Sequence, residues 1–254
     1  MDPNLLEETE EQNIRSLYES IRSDPYIFEE TDQIPFAQTP LHEAASRGQT
    51  RLAMLIMNLK PSLGKRLNLD CQSPLHLALL NGHFETVKRL ISLDKDLIRV
   101  KGRDCFTPLH HAAETDDRFD ILADFLSACP ESVEDLNVQC ETALLIAAKN
   151  RNVRALQLLM RHIVEADMDR VKDIKDWKGN TIVHIAVSTS QPDVCPTTIT
   201  SPARVCPTYL GIQLLDNVFK YVILSGPSVL IRCDAKRELA VEIDACMGFA
   251  LCTK

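Results

Sequence analysis

One four-residue pattern recurs along the chain and limits what the chain can fold into. It reads Thr39-Pro40-Leu41-His42 at its first occurrence, and it returns from Ser73 and from Thr107 with the same Pro-Leu-His ending. Weaker copies begin at Thr142 and Thr181, so successive starts lie 34, 34, 35 and 39 residues apart. Self-similarity at such a period indicates a stack of similar units, in which each unit contacts its neighbours.

Each position of the pattern has a local physical reason. A Thr or Ser hydroxyl can cap a helix by accepting a free backbone N–H, and Pro suits the first helical position because its missing N–H costs nothing there. The Leu then faces the core, and the His is expected to bond locally and tie neighbouring units together. We therefore predict structural roles for Thr39, His42, Ser73, His76, Thr107, His110, Thr181 and His184.

The pattern and its period resemble those of ankyrin repeats, over roughly residues 3–187. The resemblance implies an all-α solenoid of stacked helix-turn-helix units with short hairpin loops. We expect a repeat domain over residues 1–187, with a degenerate first repeat at 3–36, repeats near 36–69, 70–103, 104–137 and 138–173, and a partial repeat at 176–187.

The first repeat and two of the inner turns depart from the pattern. Leu5 and Leu6 predict a short first helix, and the apolar residues from 14 to 21 predict a second helix that Pro25 ends. Gly48 should supply a left-handed turn between the helices of its repeat. Asp116 and Arg151 replace that glycine in later repeats, although Asn150 tolerates the left-handed region, so we expect strained or rebuilt turns there.

Residues 188–254 do not continue the repeats. The stretch from 188 to 207 is rich in Ser, Thr and Pro and predicts an irregular linker. Mixed helix and strand patterns follow, and they assign no fold. A small packed extension, a loose tail and an artefact of transcript processing all remain open for this tail.

Charge and hydropathy exclude several classes of partner. The net charge is −8, and residues 1–34 hold ten acidic and two basic residues, so the rest of the chain is neutral overall. Nucleic acid requires a basic face. No apolar run reaches the ~18 residues of a membrane helix, and the N-terminus does not resemble a signal peptide. We expect a cytoplasmic monomer without a membrane span.

No catalytic or metal-binding motif is present. The chain lacks G-x-S-x-G, a glycine-rich phosphate loop and H-E-x-x-H. Five cysteines of the tail lack the paired spacing of structural zinc sites; they are Cys195, Cys206, Cys233, Cys246 and Cys252. We predict no enzyme activity, catalytic residue, cofactor, metal or small-molecule substrate, and an enzyme or metal site in the tail is the rival interpretation.

Cys71, Cys105 and Cys140 each lie two residues before the recurring Ser or Thr, where Gly179 stands in the last repeat. Packed helices lie about 8–10 Å apart, whereas a disulfide needs Cα atoms within about 7 Å. We therefore predict free thiols. Redox sensing and simple tolerance of a small residue are the two alternatives for this row.

The hairpin tips and the ends of the first helices form the face with which ankyrin proteins bind. Apolar or aromatic residues with interspersed charge on such a face indicate a protein-binding surface. The alternative is that these side chains fold back onto neighbouring hairpins. The candidate residues are Phe36, Leu69, Leu80, Arg103, Asp104, Phe106, Glu114, Val138, Trp177 and Lys178, with Lys149 among the charged neighbours.

Several segments resemble a plant group of ankyrin proteins that carry a C-terminal membrane domain, the PGG domain. These segments are Asp24-Pro25-Tyr26-Ile27, Ile34-Pro35-Phe36, residues 39–45, Asn58-Leu59-Lys60-Pro61-Ser62 and residues 99–104. The resemblance implies plasma-membrane signalling in defence, cell death and salt stress. Residues 188–254, however, show no membrane helices. Two hypotheses follow: a protein-binding scaffold in plant signalling or defence, and a truncated form of a membrane-anchored signalling protein.

Overall fold

The computed structural model describes residues 3–24, 36–182, 184–186, 229–233 and 239–243. Up to residue 186 the described residues are helical units joined by hairpins, as the resemblance implied. The α-helices are α1 (Pro3–Ser23), α2 (Pro40–Ser46), α3 (Thr50–Leu59), α4 (Pro74–Leu80), α5 (Phe84–Leu93), α6 (Pro108–Glu114), α7 (Phe119–Ala128), α8 (Ala143–Lys149) and α9 (Val153–Glu165).

Short 3-10 helices and one pair of strands complete the described elements. The 3-10 helices cover Pro61–Lys65, Lys95–Arg99, Arg103–Cys105, Asp116–Arg118, Pro130–Glu134 and Asp169–Asp173. In the tail, β1 (Val229–Cys233) and β2 (Leu239–Ile243) pair antiparallel, with Val229 opposite Ile243. The rest of the tail, from 187 onwards, lies outside the described residues.

The recurring Thr or Ser starts the first helix of each repeat. Thr39 has extended backbone angles and caps α2, because its hydroxyl oxygen accepts the backbone N–H of His42 at 3.4 Å. Pro40 occupies the first turn, as its fixed φ favours. Ser73 caps α4 in the same way, with a distance of 3.3 Å from the His76 nitrogen. The motif therefore sets where each short helix begins.

The turns between paired helices follow the prediction in part. Gly48 has φ +70°, and a Cβ there would lie 2.5 Å from the His83 ring, so glycine is required by both conformation and space. The turn at Asp116 is rebuilt as a 3-10 helix, in which Arg118 donates to the carbonyl of His111 at 3.0 Å. In the next repeat Arg151 itself is left-handed, with φ +56°, and Asn150 is not.

A single apolar core runs along the stack from Leu17 to Ala186. Paired alanines such as Ala44 and Ala45 are fully buried and let the two helices of a repeat approach closely. The motif leucines Leu41, Leu75 and Leu109 are also fully buried. These contacts confirm the ankyrin solenoid over the described repeats.

The first repeat differs from the prediction of two short helices. Residues 3–23 form one continuous helix, α1, which ends before Pro25 as expected. Glu10 accepts the backbone N–H of Leu52 at 3.0 Å, and Asn13 donates to Gln49 at 3.1 Å. The side chain of Gln49 does not cap α3. Glu10 instead accepts one of the free N–H groups in the first turn of α3. The acidic helix thus ends the stack with a polar face.

Among the described residues, no helix combines the length and the apolar composition needed to cross a lipid bilayer.

Candidate functional site

The hairpins between repeats are held by a repeated side-chain motif. In the hairpin of Asn68, the side-chain oxygen accepts the backbone N–H of Asp70 at 3.0 Å and of Gln72 at 2.9 Å. Asn137 and Asp176 make the same two bonds in their own hairpins. Such bonds fix a turn locally, so the residue that follows each of these anchors stands at a defined tip.

The hairpin of the fourth repeat is built differently. Gly102 stands where its neighbours have Asn or Asp, and a Cβ there would lie 2.8 Å from the carbonyl oxygen of Cys71. Close packing against the preceding hairpin therefore excludes the anchoring side chain. Asp104 and Cys105 instead adopt φ values of +53° and +59°, and both Arg103 and Asp104 are exposed.

Backbone bonds join three pairs of neighbouring hairpins. Val138 donates its N–H to the carbonyl of Asp104 at 2.9 Å, and Trp177 donates to the carbonyl of Gln139 at 3.0 Å. At the other end, Ala37 donates to the carbonyl of Leu67 at 3.3 Å. The two hairpins on either side of each of these bonds are consequently held together.

Four of the predicted binding residues are exposed apolar side chains at the hairpin edge of the stack. The exposed fractions are 48% for Phe36, 80% for Leu69, 63% for Val138 and 63% for Trp177. We call these four residues the tip row. Lys178 lies beside it, with its ammonium nitrogen 5.1 Å from the centre of the Trp177 ring.

Three other predicted binding residues are less open. Phe106 is half-buried, and its ring packs against those of His110 and His111, with centroids 5.6 and 5.2 Å away. Leu80, at the end of α4, is half-buried. Glu114 is half-buried and its carboxylate lies 3.0 Å from Nδ1 of His111. The Phe106 ring therefore packs on the first helix of its own repeat, and its part in partner binding stays a prediction.

The motif histidines link successive repeats. Nδ1 of His76 accepts from the Ser73 hydroxyl at 2.7 Å and from its backbone N–H at 3.3 Å, while Nε2 lies 3.1 Å from the carbonyl oxygen of Phe106. A carbonyl oxygen can only accept and a backbone N–H can only donate, so Nε2 carries the proton, Nδ1 carries none and the ring is neutral. His42 and His110 make the same contacts, to Gln72 and Glu141. We call His42, His76 and His110 the histidine ladder.

Burial keeps the ladder neutral. It lowers the pKa of His76 to about 3, and the neighbouring His111 adds to this effect. Burial also lowers the pKa of His42 and of His110, against the raising effect of their backbone hydrogen bonds. His184 contacts the Thr181 hydroxyl at 2.8 Å and is half-buried. The motif residues therefore hold the stack together.

Two buried carboxylates near the end of the stack are missing from the sequence prediction. Glu141 and Asp176 both contact the ammonium group of Lys149, which is the last residue of α8. The sequence signal for this arrangement is Leu145, which stands where the other full repeats have the motif histidine. The Lys149 contacts thus occur at the junction that lacks the motif histidine.

The cysteines of the hairpins are free thiols. Cys71 and Cys105 are half-buried and Cys140 is exposed. All three have positive φ, between +56° and +59°, which explains why glycine serves at the same position in the last repeat. The part of the chain that the structure describes holds no cluster of three or more His, Cys, Asp or Glu side chains suited to a metal ion.

Comparison with known proteins agrees with this architecture. The family model for ankyrin repeats (three copies) matches residues 10–101, 41–128 and 109–199. The ankyrin repeat-containing protein BDA1 of Arabidopsis thaliana is 46% identical over 68 residues, which are 27% of this chain and 16% of the relative. The aligned segment thus spans a small part of that protein. Since the family model matches well over half of the chain, the chain belongs to the ankyrin-repeat family.

Proposed function

We propose that this chain is a non-enzymatic scaffold that binds a partner protein through the tip row and the adjoining concave face. The observation that supports this most directly is the exposure of Phe36, Leu69, Val138 and Trp177 at the hairpin edge. Exposed apolar groups that share one edge favour a protein partner. Trp and Arg are also the residues that most often dominate interface energies, and here Trp177 and Arg103 are both exposed.

The rigidity of the hairpins favours this edge over the outer helices. Leu59, Leu93 and Val164 are also exposed, at 42–49%, but they lie near the ends of α3, α5 and α9. The tip row is instead fixed by the anchors of its hairpins and by bonds between hairpins. A surface that is ordered before binding loses less entropy in the complex.

The two apolar sets give a matched experiment. Leu69, Val138 and Trp177 are changed to Ala in one variant, and Leu59, Leu93 and Val164 in the control. The wild-type chain is crosslinked in plant cells to capture a partner protein, and that partner is purified. Its affinity for the wild-type chain, for the tip variant and for the control is then measured by calorimetry. We expect the tip variant to bind at least about tenfold more weakly and the control to change less than about twofold.

Equal affinity of the tip variant and the wild type would contradict the proposal, provided that circular dichroism shows both folded. Arg103→Ala and Lys178→Ala test the charged neighbours in the same assay. If the partner is acidic at those points, both changes should slow association and reduce its salt dependence.

The cellular setting follows from the resemblance to the plant PGG-domain group. We propose that the scaffold acts in plant signalling or defence as a monomer, without a nucleic-acid, small-molecule or cofactor ligand. An infection or salt-stress assay on plants that lack the protein tests this role. Complementation by the wild type and failure of the tip variant would connect the phenotype to the binding edge.

The alternative function is that of a truncated form of a plasma-membrane ankyrin signalling protein. It is motivated by the loss of the repeat pattern after residue 187. Tissue fractions are probed with an antibody against residues 40–180, and the captured band is weighed intact. A band near 28.5 kDa outside the membrane fraction supports the scaffold. A larger, membrane-bound band alone supports the alternative.

A further inference from the structure

The junction between the fifth and sixth repeats is linked differently from those before it. At the three earlier junctions, a ladder histidine donates to the carbonyl just before the next capping residue. At this junction Leu145 replaces the histidine, and its side chain has no hydrogen-bonding group. The equivalent carbonyl, that of Asn180, keeps the hairpin-closing N–H of Asp176 at 2.9 Å, a bond that the other three hairpins also make, but Leu145 gives it no histidine donor.

An ion-pair cluster spans the junction in place of the histidine. The Lys149 ammonium contacts the Glu141 carboxylate of its own repeat and lies 3.2 Å from Oδ2 of Asp176 in the next hairpin. The side chains of Glu141 and Asp176 are 6% and 0% exposed, whereas that of Lys149 is 36% exposed. Lys149 is thus the solvent-facing member of a three-residue cluster whose two carboxylates are buried.

Both carboxylates are further held by their own hairpins. Asn137 donates to Oε2 of Glu141 at 2.9 Å, and Asn180 donates to Oδ2 of Asp176 at 3.2 Å. Oδ1 of Asp176 accepts the N–H groups that shape the Trp177 tip. Lys149 therefore bonds directly to the residue that anchors the tip.

We propose that Lys149 is a charge-dependent positioning residue that holds the Trp177 hairpin, residues 176–180, against the fifth repeat. Without its charge the two carboxylates repel each other and the hairpin separates from the Gln139 carbonyl, while the hairpins linked by His42 and His76 stay in place. This inference rests on the proposed function and adds to it a charge-dependent position for Trp177. Its readout is the hairpin itself, without any partner.

The physical difference between the two kinds of junction is their response to salt. An ion pair with a partly exposed cation is weakened by dissolved ions. A buried imidazole bonded to a carbonyl is a neutral pair and is not screened in this way. Loss of one member of a buried charge group also leaves the others uncompensated, so removal of Lys149 should affect its hairpin strongly.

Amide hydrogen exchange of the Trp177 N–H, followed by NMR, measures opening of this hairpin. The N–H of Ala37 is an internal reference, because it makes the same kind of bond, to Leu67, at a junction linked by His42 and far from the Lys149 cluster. We expect Lys149→Met to speed exchange at Trp177 at least about tenfold and to leave Ala37 within about twofold.

Lys65→Met is the matched control. Its ammonium also lies between two carboxylates, 3.2 Å from Asp94 and 3.2 Å from Asp96, but in the second repeat. It should leave exchange at Trp177 unchanged. Adding Leu145→His to Lys149→Met should restore slow exchange, since Thr142 already caps that helix as Ser73 and Thr107 cap theirs.

The unmodified protein gives a second test that does not depend on any variant folding. Raising NaCl to about 1 M should speed exchange at Trp177 and not at Ala37. Salt-independent exchange at Trp177 would overturn the proposal. So would Lys149→Met exchange equal to that of the wild type, or an equal acceleration at Trp177 and Ala37, because Lys149 would then support the whole stack.

Discussion

Nε2 of His76 lies 3.1 Å from the carbonyl oxygen of Phe106, thirty residues further along the chain. The same ring accepts a hydrogen bond from the backbone of Ser73 through Nδ1. One neutral imidazole therefore caps its own helix and holds the next repeat. Protonation of Nδ1 would turn an acceptor into a donor that faces an N–H group.

This arrangement predicts that acid destabilises the stack. An unfolded histidine has a pKa near 6.5, and burial lowers the pKa of His76 to about 3 in the fold. Between these values the unfolded chain binds more protons, so the stabilisation that is complete above pH 6.5 is lost as the pH falls toward 3. His76 should contribute roughly 1 kcal/mol per pH unit in that window.

Urea unfolding between about pH 7.5 and about pH 5 measures this dependence. His76→Gln should be less stable at neutral pH, and its midpoint should fall less steeply with acid than that of the wild type. An unchanged slope in the variant would show that His76 does not titrate on unfolding in this range.

The positive φ of Cys140 predicts a stabilising substitution. A left-handed conformation costs a non-glycine residue about 1–2 kcal/mol, and Cys140, at φ +56°, is exposed and has little packing to lose. Glycine adds flexibility to the unfolded chain, which offsets part of the gain. We expect Cys140→Gly to be more stable than Cys140→Ala by about 1 kcal/mol, as measured by chemical denaturation. Equal stabilities would mean that the turn is not strained.

Removing a hairpin anchor should lower the free energy of unfolding, and a carboxylate at the same position should prevent part of that loss. Asn68 is buried, and its side-chain oxygen accepts two backbone N–H groups. Asn68→Ala leaves both donors without that partner and should cost about 1–3 kcal/mol of unfolding free energy. Asn68→Asp keeps the acceptor, as Asp176 does in its own hairpin, and should cost less. A similar loss of stability in both variants would mean that the amide nitrogen of Asn68, and not its oxygen, supplies the stabilisation.

The sequence predicted the parts of the fold that depend on short patterns. The capping residues, the paired alanines and the turn glycine Gly48 shape residues close to them in the chain, so the short motif was sufficient to predict them. It did not predict the continuous helix α1, because helix continuity there depends on packing against α3. Nor did it reveal why Gly102 replaces an anchor, since that follows from the closeness of Cys71 in the preceding hairpin.

The candidate site was predictable to a similar extent. A position at a hairpin tip can be read from the spacing, so Leu69, Val138 and Trp177 were correctly expected at exposed tips. The half-burial of Phe106 depends on the rings of His110 and His111, which no spacing rule supplies. Long-range charge pairs are equally hidden, because any surface Lys or Arg has many carboxylates to choose from.

One ion pair between repeats should contribute more to the free energy of unfolding than an exposed ion pair does. The Arg99 guanidinium makes two bonds to the buried carboxylate of Asp135, at 2.7 and 2.9 Å, in the following repeat. Arg99→Met would leave this carboxylate without its cation and should cost about 1–2 kcal/mol, a value reduced because the arginine is itself exposed.

Arg89→Met is the corresponding change at an exposed pair within one helix. Arg89 bonds to Glu85 at 3.0 Å, and both side chains are open to solvent, so its loss should cost less than about 0.5 kcal/mol. Thermal unfolding at low and high salt distinguishes the two sites. If Arg99 acts through the fixed two-bond geometry, Arg99→Lys should recover little of the loss, because an ammonium cannot match both carboxylate oxygens in the same plane. Full recovery by Lys would instead assign the effect to charge alone.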